Sequence, residues 1–304
     1  MRLLALAAFR GYETPVAEYG SGSSAVVLVH GFGACAAQWR ATSAALAESG
    51  RKVYALNLLG FGESEKPRLE YSIDLWAEQV AEFVESLEEP AALVGNSIGS
   101  LVCLAAATRC RPSAVALYNC AIGMNSKARP RSASEVVSWL FQAPFLLILD
   151  LVLCSPLAKP LFEKIADPET VRSILLLPGV YADPSRVDDA LVEMIVAPAR
   201  DDGALEAFVT ILTGDPGPRP EDLVPLIQPD LPVAVLWGVK DQITPINGPI
   251  GSFFQNLPDV RPKTSFVALE NTAHCPFDDR PDLATPPLLG FLDTYAAPPP
   301  PPSC

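Results

Sequence analysis

The sequence predicts an α/β fold in which a mostly parallel, doubly wound sheet carries an inserted helical cap. Short apolar runs alternate with helical patterns through residues 26–118, which is typical of a parallel sheet covered by helices on both sides. Residues 124–230 then lack a strong strand pattern. Strand patterns return at residues 233–237 and 264–269, so the intervening segment interrupts one domain.

Each element follows from a local pattern. Continuous runs of β-branched residues and leucine favour strands buried on both faces, as at residues 26–29 between Gly22 and Gly31. Alanine and leucine at helical spacing favour a helix that ends before Gly50, a typical residue just past a helix C terminus. The predicted strands are 26–29, 53–58, 91–94, 113–118, 233–237 and 264–269, and the predicted helices are 39–48, 76–87, 101–108 and about 283–295.

These patterns divide the chain into a core, a cap and a tail. Residues 1–123 and 231–297 form the predicted core, and residues 124–230, which are helical and interrupted by prolines, form the predicted cap. Residues 298–304 begin with five prolines, which cannot continue a helix, and predict a disordered, solvated tail. With 304 residues and 49% hydrophobic content, the chain can bury a substantial core.

The composition excludes several classes of protein. With 22 basic and 35 acidic residues the net charge is −13, which disfavours binding to nucleic acid. Seven cysteines without a CxxC pair predict neither a disulfide framework nor a zinc site, and they fit a reducing intracellular compartment. The longest apolar stretch, 139–153, contains Gln142, Pro144 and Asp150, whereas a spanning helix needs ~20 nearly uninterrupted apolar residues. Residues 1–8 are too short an apolar run for a full secretory signal but fit a fragment of a longer targeting segment.

The sharpest motif lies at residues 95–99, Gly-Asn-Ser-Ile-Gly, between a predicted strand and a helix-forming run. In this G-x-S-x-G context, Ser97 is expected on a strained turn with its hydroxyl exposed. Gly95 and Gly99 are expected where neighbouring backbone must pass closely. The motif alone also fits a glycine-rich turn of a Rossmann-like unit, so further residues must support a catalytic serine.

A serine hydroxyl needs a base to accept its proton, and the base is usually histidine. The chain has two histidines, His30 and His274. His274 follows the predicted strand that ends at residue 269, and this edge of an α/β sheet is where such folds present catalytic groups. We therefore predict that His274 is the base for Ser97.

Asp241 is the predicted carboxylate that orients the imidazole, because it directly follows the strand at residues 233–237. It completes the chain order Ser, Asp, His. A second position for the acid, after the strand ending near residue 118, holds Asn119 and offers no carboxylate. Asp278 and Asp279 are expected to cap the last helix or to pair with Arg280.

The remaining requirement is an oxyanion hole, where two backbone N–H groups stabilise the negative oxygen of a tetrahedral intermediate. Ile98, directly after the candidate nucleophile, supplies one predicted donor. Phe32, in the turn between Gly31 and Gly33, supplies the other. His30 is expected to brace that turn from beneath. This set of residues requires no metal and no organic cofactor.

Together these motifs resemble the α/β-hydrolase superfamily across residues 25–123 and 231–292. The resemblance implies the α/β-hydrolase fold with an inserted lid domain and a serine esterase triad. Two positions depart from the usual pattern: Asn57 stands where the family usually has aspartate, and Ser100 where it often has a second glycine. The motifs that carry the resemblance are residues 30–33, 58–64, 95–99 and the loops of Asp241 and His274.

Residues 71–79, 95–99 and 274–279 are also similar to pheophytinase and its plastid and cyanobacterial relatives. Those enzymes cleave the phytyl ester of chlorophyll-derived pigments. The resemblance implies a chloroplast hydrolase of chlorophyll catabolism that acts, through an acyl-enzyme, on a small-molecule ester with a long apolar group. Apolar cap side chains are compatible with burial of a prenyl or acyl tail at about 0.8 kcal/mol per CH₂, or with peripheral contact to a membrane or lipid surface. They are equally compatible with a cap that packs on itself. The sequence makes no prediction of oligomeric state.

Other functions use the same framework. An epoxide hydrolase or haloalkane dehalogenase would need an aspartate in place of Ser97. A general carboxylesterase or lipase, a haloperoxidase and a carbon–carbon bond hydrolase would each keep the triad. The last of these tends to have a tryptophan soon after the histidine, where this chain has Cys275, Pro276 and Phe277. A non-catalytic ligand receptor on the same fold is a further alternative.

Overall fold

A computed structural model describes residues 2–296, so the predicted tail at 298–304 lies outside the described residues. The chain forms one eight-stranded sheet with the order β1-β2-β4-β3-β5-β6-β7-β8. The pairs β1–β2 and β2–β4 are antiparallel, and the other five pairs are parallel. The strands are β1 Arg2–Phe9, β2 Tyr12–Tyr19, β3 Ala25–Val29, β4 Lys52–Leu56, β5 Ala91–Asn96, β6 Ala114–Tyr118, β7 Val233–Gly238 and β8 Thr264–Leu269.

Helices cover both faces of this sheet, which confirms the predicted fold class. Alternate residues of β3 face opposite sides: Val27 and Val29 belong to one apolar cluster, and Val26 and Leu28 belong to the other. The helices of the core are α1 Arg40–Glu48, α2 Ile73–Glu85, α3 Ile98–Ala106, α10 Pro249–Val260, α11 Pro276–Asp279 and α12 Pro281–Tyr295. The first cluster includes residues of α2, α3 and α10, and the second includes residues of α1, α11 and α12.

All remaining α-helices lie between β6 and β7, where the sequence predicts the cap. The predicted boundary at residues 123 and 124 falls in the loop after β6, and the boundary at 230 and 231 falls just before β7. Short 3₁₀ turns, Pro184–Arg186 and Ala197–Arg200, join some of these helices. The cap helices are α4 Ala133–Leu153, α5 Ala158–Ile165, α6 Pro168–Leu175, α7 Asp189–Val196, α8 Ala204–Thr213 and α9 Pro220–Leu223.

Several boundaries differ from the predictions for local reasons. Helix α2 begins at Ile73, three residues before the predicted start, because the Ser72 side chain accepts a hydrogen bond from the Leu75 N–H and caps the helix. Helix α3 begins at Ile98 instead of residue 101. The predicted helix at 39–48 is preceded by a 3₁₀ turn, Ala36–Trp39, and Gly50 has the left-handed φ of 85° expected beyond its end.

The first two strands and the core helices α10 and α11 were not predicted from the sequence. Residues 2–9, whose apolar start was interpreted as a possible targeting fragment, form β1 of an antiparallel hairpin with β2. This hairpin joins the sheet through the pairing of β2 with β4, whose residues lie far along the chain. A local pattern cannot reveal such a pairing, because the strand is stabilised by a distant partner.

Candidate active site

Ser97 occupies the sharp turn between β5 and α3. Its φ of 56° and ψ of −122° lie in a region that residues other than glycine rarely adopt. Close backbone packing maintains this turn: a Cβ added to Gly95 would lie 2.4 Å from the carbonyl oxygen of Gly99, and one added to Gly99 would lie 2.3 Å from that of Val29. Side chains at either glycine would therefore force the strand and the helix apart.

Hydrogen bonds fix the turn from the neighbouring strand β6. The Ser97 N–H donates to the Tyr118 carbonyl oxygen over 3.0 Å, and the Ala121 N–H donates to the Ser97 carbonyl oxygen over 3.1 Å. Ser100, where the family often has glycine, is fully buried and its hydroxyl donates to the same Tyr118 oxygen over 2.9 Å. The departure from the family pattern at this position therefore adds a hydrogen bond beneath the turn.

The His274 imidazole and the Asp241 carboxylate form a buried pair, with 2.8 Å between Nδ1 and Oδ2. Burial by itself would raise the pKa of Asp241, but hydrogen bonds from His274, Thr244 and Asn119 outweigh it and the pKa lies below its ordinary value. The other carboxylate oxygen accepts the N–H groups of Ile243 and Thr244 over 2.7 and 3.0 Å. An ionised Asp241 accepts a hydrogen bond from the Nδ1–H group of His274, and Nε2 can then act as the proton acceptor.

Asn119 has a role that the sequence analysis did not find. It directly follows β6, at the second position that the sequence offers for the acid of the triad. Its Nδ2 donates to Asp241 Oδ2, and its Oδ1 accepts the Gly238 N–H over 3.1 Å. The amide thus connects the ends of β6 and β7 and holds the carboxylate in place. Its position beside the Asp241 strand was the available signal.

The main chain of His274 is held from both the core and the cap. The Asn96 side chain, at the end of β5, donates to the His274 carbonyl oxygen over 2.9 Å. The His274 N–H donates to the Gly179 carbonyl oxygen in the cap over 3.1 Å. Asp279, fully buried in α11, accepts the Ala273 N–H over 2.9 Å. Asp279 also accepts two cap N–H groups, those of Ala182 and Asp183, each over 2.9 Å.

The expectation that Asp278 and Asp279 cap the last helix or pair with Arg280 is wrong. Arg280 pairs with Asp282 instead. The buried Asp278 carboxylate receives Arg40 Nε at 2.8 Å and Arg186 Nη2 at 3.3 Å, and it also accepts the Tyr181 hydroxyl at 2.8 Å. Because Arg186 and Tyr181 belong to the cap and Arg40 to the core, this cluster connects the two next to the histidine loop.

Ser97 and His274 line the same cavity, although no hydrogen bond joins the serine hydroxyl to the imidazole within residues 2–296. The structure therefore joins the predicted base and acid directly and places the predicted nucleophile on the wall of the cavity that His274 also lines. Hydrogen bonds of this kind are often long or absent without substrate.

The two predicted oxyanion donors belong to two turns that pack against each other. Ile98 is the first residue of α3, so its N–H has no carbonyl partner within the helix. Phe32 lines the cavity in the turn that contains Gly33 at φ 67°. A Cβ added to Gly31 would lie 3.2 Å from the Ser97 Cβ, so this turn runs directly against the serine.

His30 braces this turn, as the sequence analysis expected. The ring is fully buried, its Nε2 accepts the Leu58 N–H over 3.1 Å, and its Nδ1 lies 2.8 Å from the Gly31 carbonyl oxygen. Burial lowers the pKa of His30 to about 4. The ring is therefore neutral, with the proton on Nδ1.

The cavity beside Ser97 has a volume of about 430 Å³ and mostly apolar walls. Among the described residues that line the cavity, Lys66 carries the one permanent charge. Its ammonium group donates to the Gly62 and Ser64 carbonyl oxygens and pairs with Asp201 at 2.7 Å. Residues 2–296 contain no cluster of three or more His, Cys, Asp or Glu side chains that could hold a metal ion. The cap contributes Phe162, Ile165, Val171, Leu175, Phe208 and Ile211 to the walls.

Comparison with known proteins identifies the family. Residues 26–285 match the alpha/beta hydrolase family. Chloroplastic pheophytinase of Arabidopsis thaliana is 26% identical over 242 residues, which cover 77% of this chain and 48% of that protein. The 2-hydroxymuconate semialdehyde hydrolase of Pseudomonas sp. (strain CF600) is 38% identical over 104 residues, which cover 33% of this chain and 36% of that protein. The chain thus spans less than half the length of either relative.

A solved structure described as a membrane phospholipase A, a novel bacterial virulence factor, superimposes with a TM-score of 0.70. The two sequences are 25% identical, and the alignment covers 97% of this chain and 86% of that one. The family match over residues 26–285 confirms the superfamily that the motifs predicted. The chain belongs to the alpha/beta hydrolase family.

Proposed function

We propose that the protein is a serine hydrolase that cleaves a carboxylic ester with a long apolar group through an acyl-enzyme. The observation that carries the proposal is the buried Asp241–His274 pair, whose histidine lines the same apolar cavity as Ser97 on its strained turn. A charged carboxylate, an imidazole with a free Nε2 and a hydroxyl at the start of a helix are the groups that acyl transfer requires.

The proposed reaction has two steps. Ser97 attacks the ester carbonyl while His274 takes its proton, and Asp241 stabilises the imidazolium that forms. The N–H groups of Phe32 and Ile98 stabilise the oxyanion. His274 then protonates the departing alcohol, and it later activates the water that releases the acid.

The apolar walls support an ester with a long hydrocarbon group as the substrate. Because the cap side chains that line the cavity are aliphatic or aromatic, a prenyl or acyl tail would gain about 0.8 kcal/mol for each CH₂ buried there. The similarity to pheophytinase extends the proposal to the phytyl ester of pheophytin or chlorophyll and to a chloroplast location. A fluorescent fusion of the full-length protein would test the location.

Two alternatives keep the same residues. The 2-hydroxymuconate semialdehyde hydrolase, whose match covers a third of this chain, favours carbon–carbon bond hydrolysis as a second candidate. The phospholipase-like structure favours a lipase or general carboxylesterase acting on other lipid esters. A ligand receptor on the same fold would bind an apolar molecule and release no alcohol.

Labelling with a fluorophosphonate probe tests the nucleophile. We expect the probe to modify Ser97 in the native chain and to leave Ser97→Ala unlabelled, with esterase kcat falling about a thousandfold or more. Ser86→Ala is the matched control, because Ser86 is an exposed serine at the end of α2 and its loss should not affect labelling. Equal labelling of Ser97→Ala and native protein would overturn the assignment.

A panel of substrates tests the ester class. Values of kcat/KM are compared for short p-nitrophenyl esters, long-chain esters, pheophytin and chlorophyll. A higher kcat/KM for esters with long apolar groups supports the proposal. A higher kcat/KM for short acyl esters would exclude pigment esters as the substrate, while the assignment as a serine hydrolase would stand. Cleavage of a vinylogous diketone without ester cleavage would assign the carbon–carbon alternative.

A further inference from the structure

The outer surface of cap helix α4 is apolar. Leu147, Ile148 and Leu151 have 62%, 60% and 65% of their surface exposed. Among the side chains that the structure describes, nine of the seventeen large apolar ones left exposed lie within residues 136–157. They are Val136, Val137, Trp139, Leu140, Phe145, Leu147, Ile148, Leu151 and Leu157.

Helix α4 is apolar on both of its faces. Leu140, Leu147 and Leu151 recur at helical spacing on the outer face, while Leu146 and Leu153 are more buried on the other. Residues 136–149 contain no charged side chain. The solvent-facing side of a helix on a globular protein is normally polar, so this helix has an unpartnered face.

A sharp bend follows α4. The segments Gln142–Leu153 and Ala158–Ile165 meet at 104°, and within residues 2–296 no single helix is long and apolar enough to cross a membrane. The two segments reach the required length and composition only when they are taken together. Such a bent pair suits a position within one membrane surface, where an apolar helix face enters about 5–10 Å.

Charge around the bent pair differs from that of the chain as a whole. Residues 124–166 hold five basic and three acidic side chains, a net charge of +2, although the chain carries −13. Arg129, Lys159 and Lys164 are exposed, and the contact of Lys159 with Glu163 is a loose one of 3.9 Å on the surface. The basic residues flank the uncharged stretch: Lys127, Arg129 and Arg131 before it, and Lys159 and Lys164 after it.

Helix α5 of the bent pair forms part of the cavity wall. Leu157, just before α5, is exposed, while Phe162 and Ile165 of α5 line the cavity. Ile174 of α6 also lines the cavity and has 40% of its surface exposed, so it lies at the cavity rim. The apolar outer surface of α4 is therefore followed directly along the chain by helices that line the cavity.

We propose that the bent pair α4–α5 is a docking surface for an anionic lipid bilayer. The apolar outer face of α4 enters the boundary between headgroups and acyl chains. Arg129, Lys159 and Lys164 contact the lipid phosphates from its flanks, which complements the negative surface of the bilayer. This inference depends on the exposed face and its flanking charges and holds whether or not the proposed esterase activity does.

Co-sedimentation with vesicles tests the apolar face. The full chain is mixed with vesicles of phosphatidylcholine alone or with roughly equal phosphatidylglycerol, and we expect binding that is stronger on the anionic vesicles. The double variant Leu147→Asp/Ile148→Asp should lower the partition coefficient about tenfold or more, because it places charge on the inserted face. Val260→Asp is the matched control, since Val260 is 79% exposed on α10, outside the cap.

A charge-reversal variant tests the flanks. Arg129→Glu/Lys159→Glu/Lys164→Glu should remove the preference for anionic vesicles, and Lys263→Glu, an exposed lysine outside the cap, should preserve it. Circular dichroism melts show whether each variant is folded. Binding of native protein that neither variant weakens would overturn the proposal.

A fluorophore on Cys154 locates the contact. Cys154 lies between the two helices and is the one exposed cysteine among the six that the structure describes. In a Cys304→Ser background, an environment-sensitive label on Cys154 should shift to shorter wavelength when vesicles are added. The absence of a shift despite binding would overturn the proposed orientation. A different result would assign the face to a second copy of the chain instead. In that case the native protein would not bind vesicles, light scattering would show a dimer, and Leu147→Asp/Ile148→Asp would abolish the dimer.

Discussion

At the scale of single residues, Asp241 shows how burial and hydrogen bonding are balanced. Burial disfavours the charged form of the carboxylate. Its partner His274 and four further hydrogen bonds favour the charged form. The four donors are the Ile243 N–H, the Thr244 N–H, the Thr244 hydroxyl and the Asn119 amide. The result is a lowered pKa. The carboxylate stays ionised at neutral pH and can accept a hydrogen bond from the Nδ1–H group of His274.

Asp241→Asn should lower kcat/KM by about 10⁴-fold near neutral pH. The amide can donate to Nδ1 and so favour the tautomer in which Nε2 carries the proton and cannot accept one from Ser97. Ester hydrolysis is measured for the variant and for Asp282→Asn, a control at an exposed aspartate of α12. Near-normal turnover of Asp241→Asn would point to a different acid.

At the scale of elements, the histidine loop between β8 and α11 depends on the cap. Asp279 accepts one N–H from that loop and two N–H groups from residues 182 and 183 of the cap. The His274 N–H is bonded to the Gly179 carbonyl oxygen. The position of the imidazole is therefore determined jointly by the edge of the sheet and by a distant cap segment. Residues 182 and 183 of the cap precede Asp279 by 97 and 96 residues along the chain.

Asp279→Asn should loosen the histidine loop and lower kcat about 10- to 100-fold, since a positioning change acts on the reaction more than on binding. The amide cannot accept all three N–H groups, and an unsatisfied buried donor costs about 1–3 kcal/mol of stability. Hydrogen exchange should rise in residues 179–183 and 270–275, with KM changing less than kcat. Unchanged exchange in both segments would show that Asp279 does not hold them together.

At the scale of the whole molecule, His30 makes the stability depend on pH. Burial lowers its pKa to about 4, whereas a histidine in the unfolded chain has a pKa near 6.5. Between these values the unfolded chain binds a proton that the folded chain excludes. The stabilisation is thus fully present above the unfolded pKa and is lost as the pH falls toward the folded one.

We expect the free energy of unfolding, measured with urea, to fall between about pH 7 and about pH 5. His30 should account for about 2 kcal/mol of this decrease. His30→Gln keeps an acceptor for the Leu58 N–H but does not titrate, so its stability should change less over the same range. Circular dichroism at each pH follows both proteins. Equal pH dependence in the two would show that His30 is not the group responsible.

The sequence by itself determined the alternating strands, the helical insertion and the residues proposed for the triad. These depend on local information: an apolar run indicates burial on both faces, and G-x-S-x-G after a strand indicates a strained turn. Asp241 and His274 were found because they directly follow predicted strands, whose ends share one edge of a parallel sheet.

Only the tertiary structure decided which groups hold the site in place. The hairpin of β1 and β2, the support of Asp241 by Asn119, the binding of Asp279 to the cap and the apolar face left exposed on α4 could not be found from the sequence. Each depends on which distant segments pack together. A local pattern shows that a residue tends to be buried or charged, but its hydrogen-bond partner and its remaining exposure are set by packing of the whole chain.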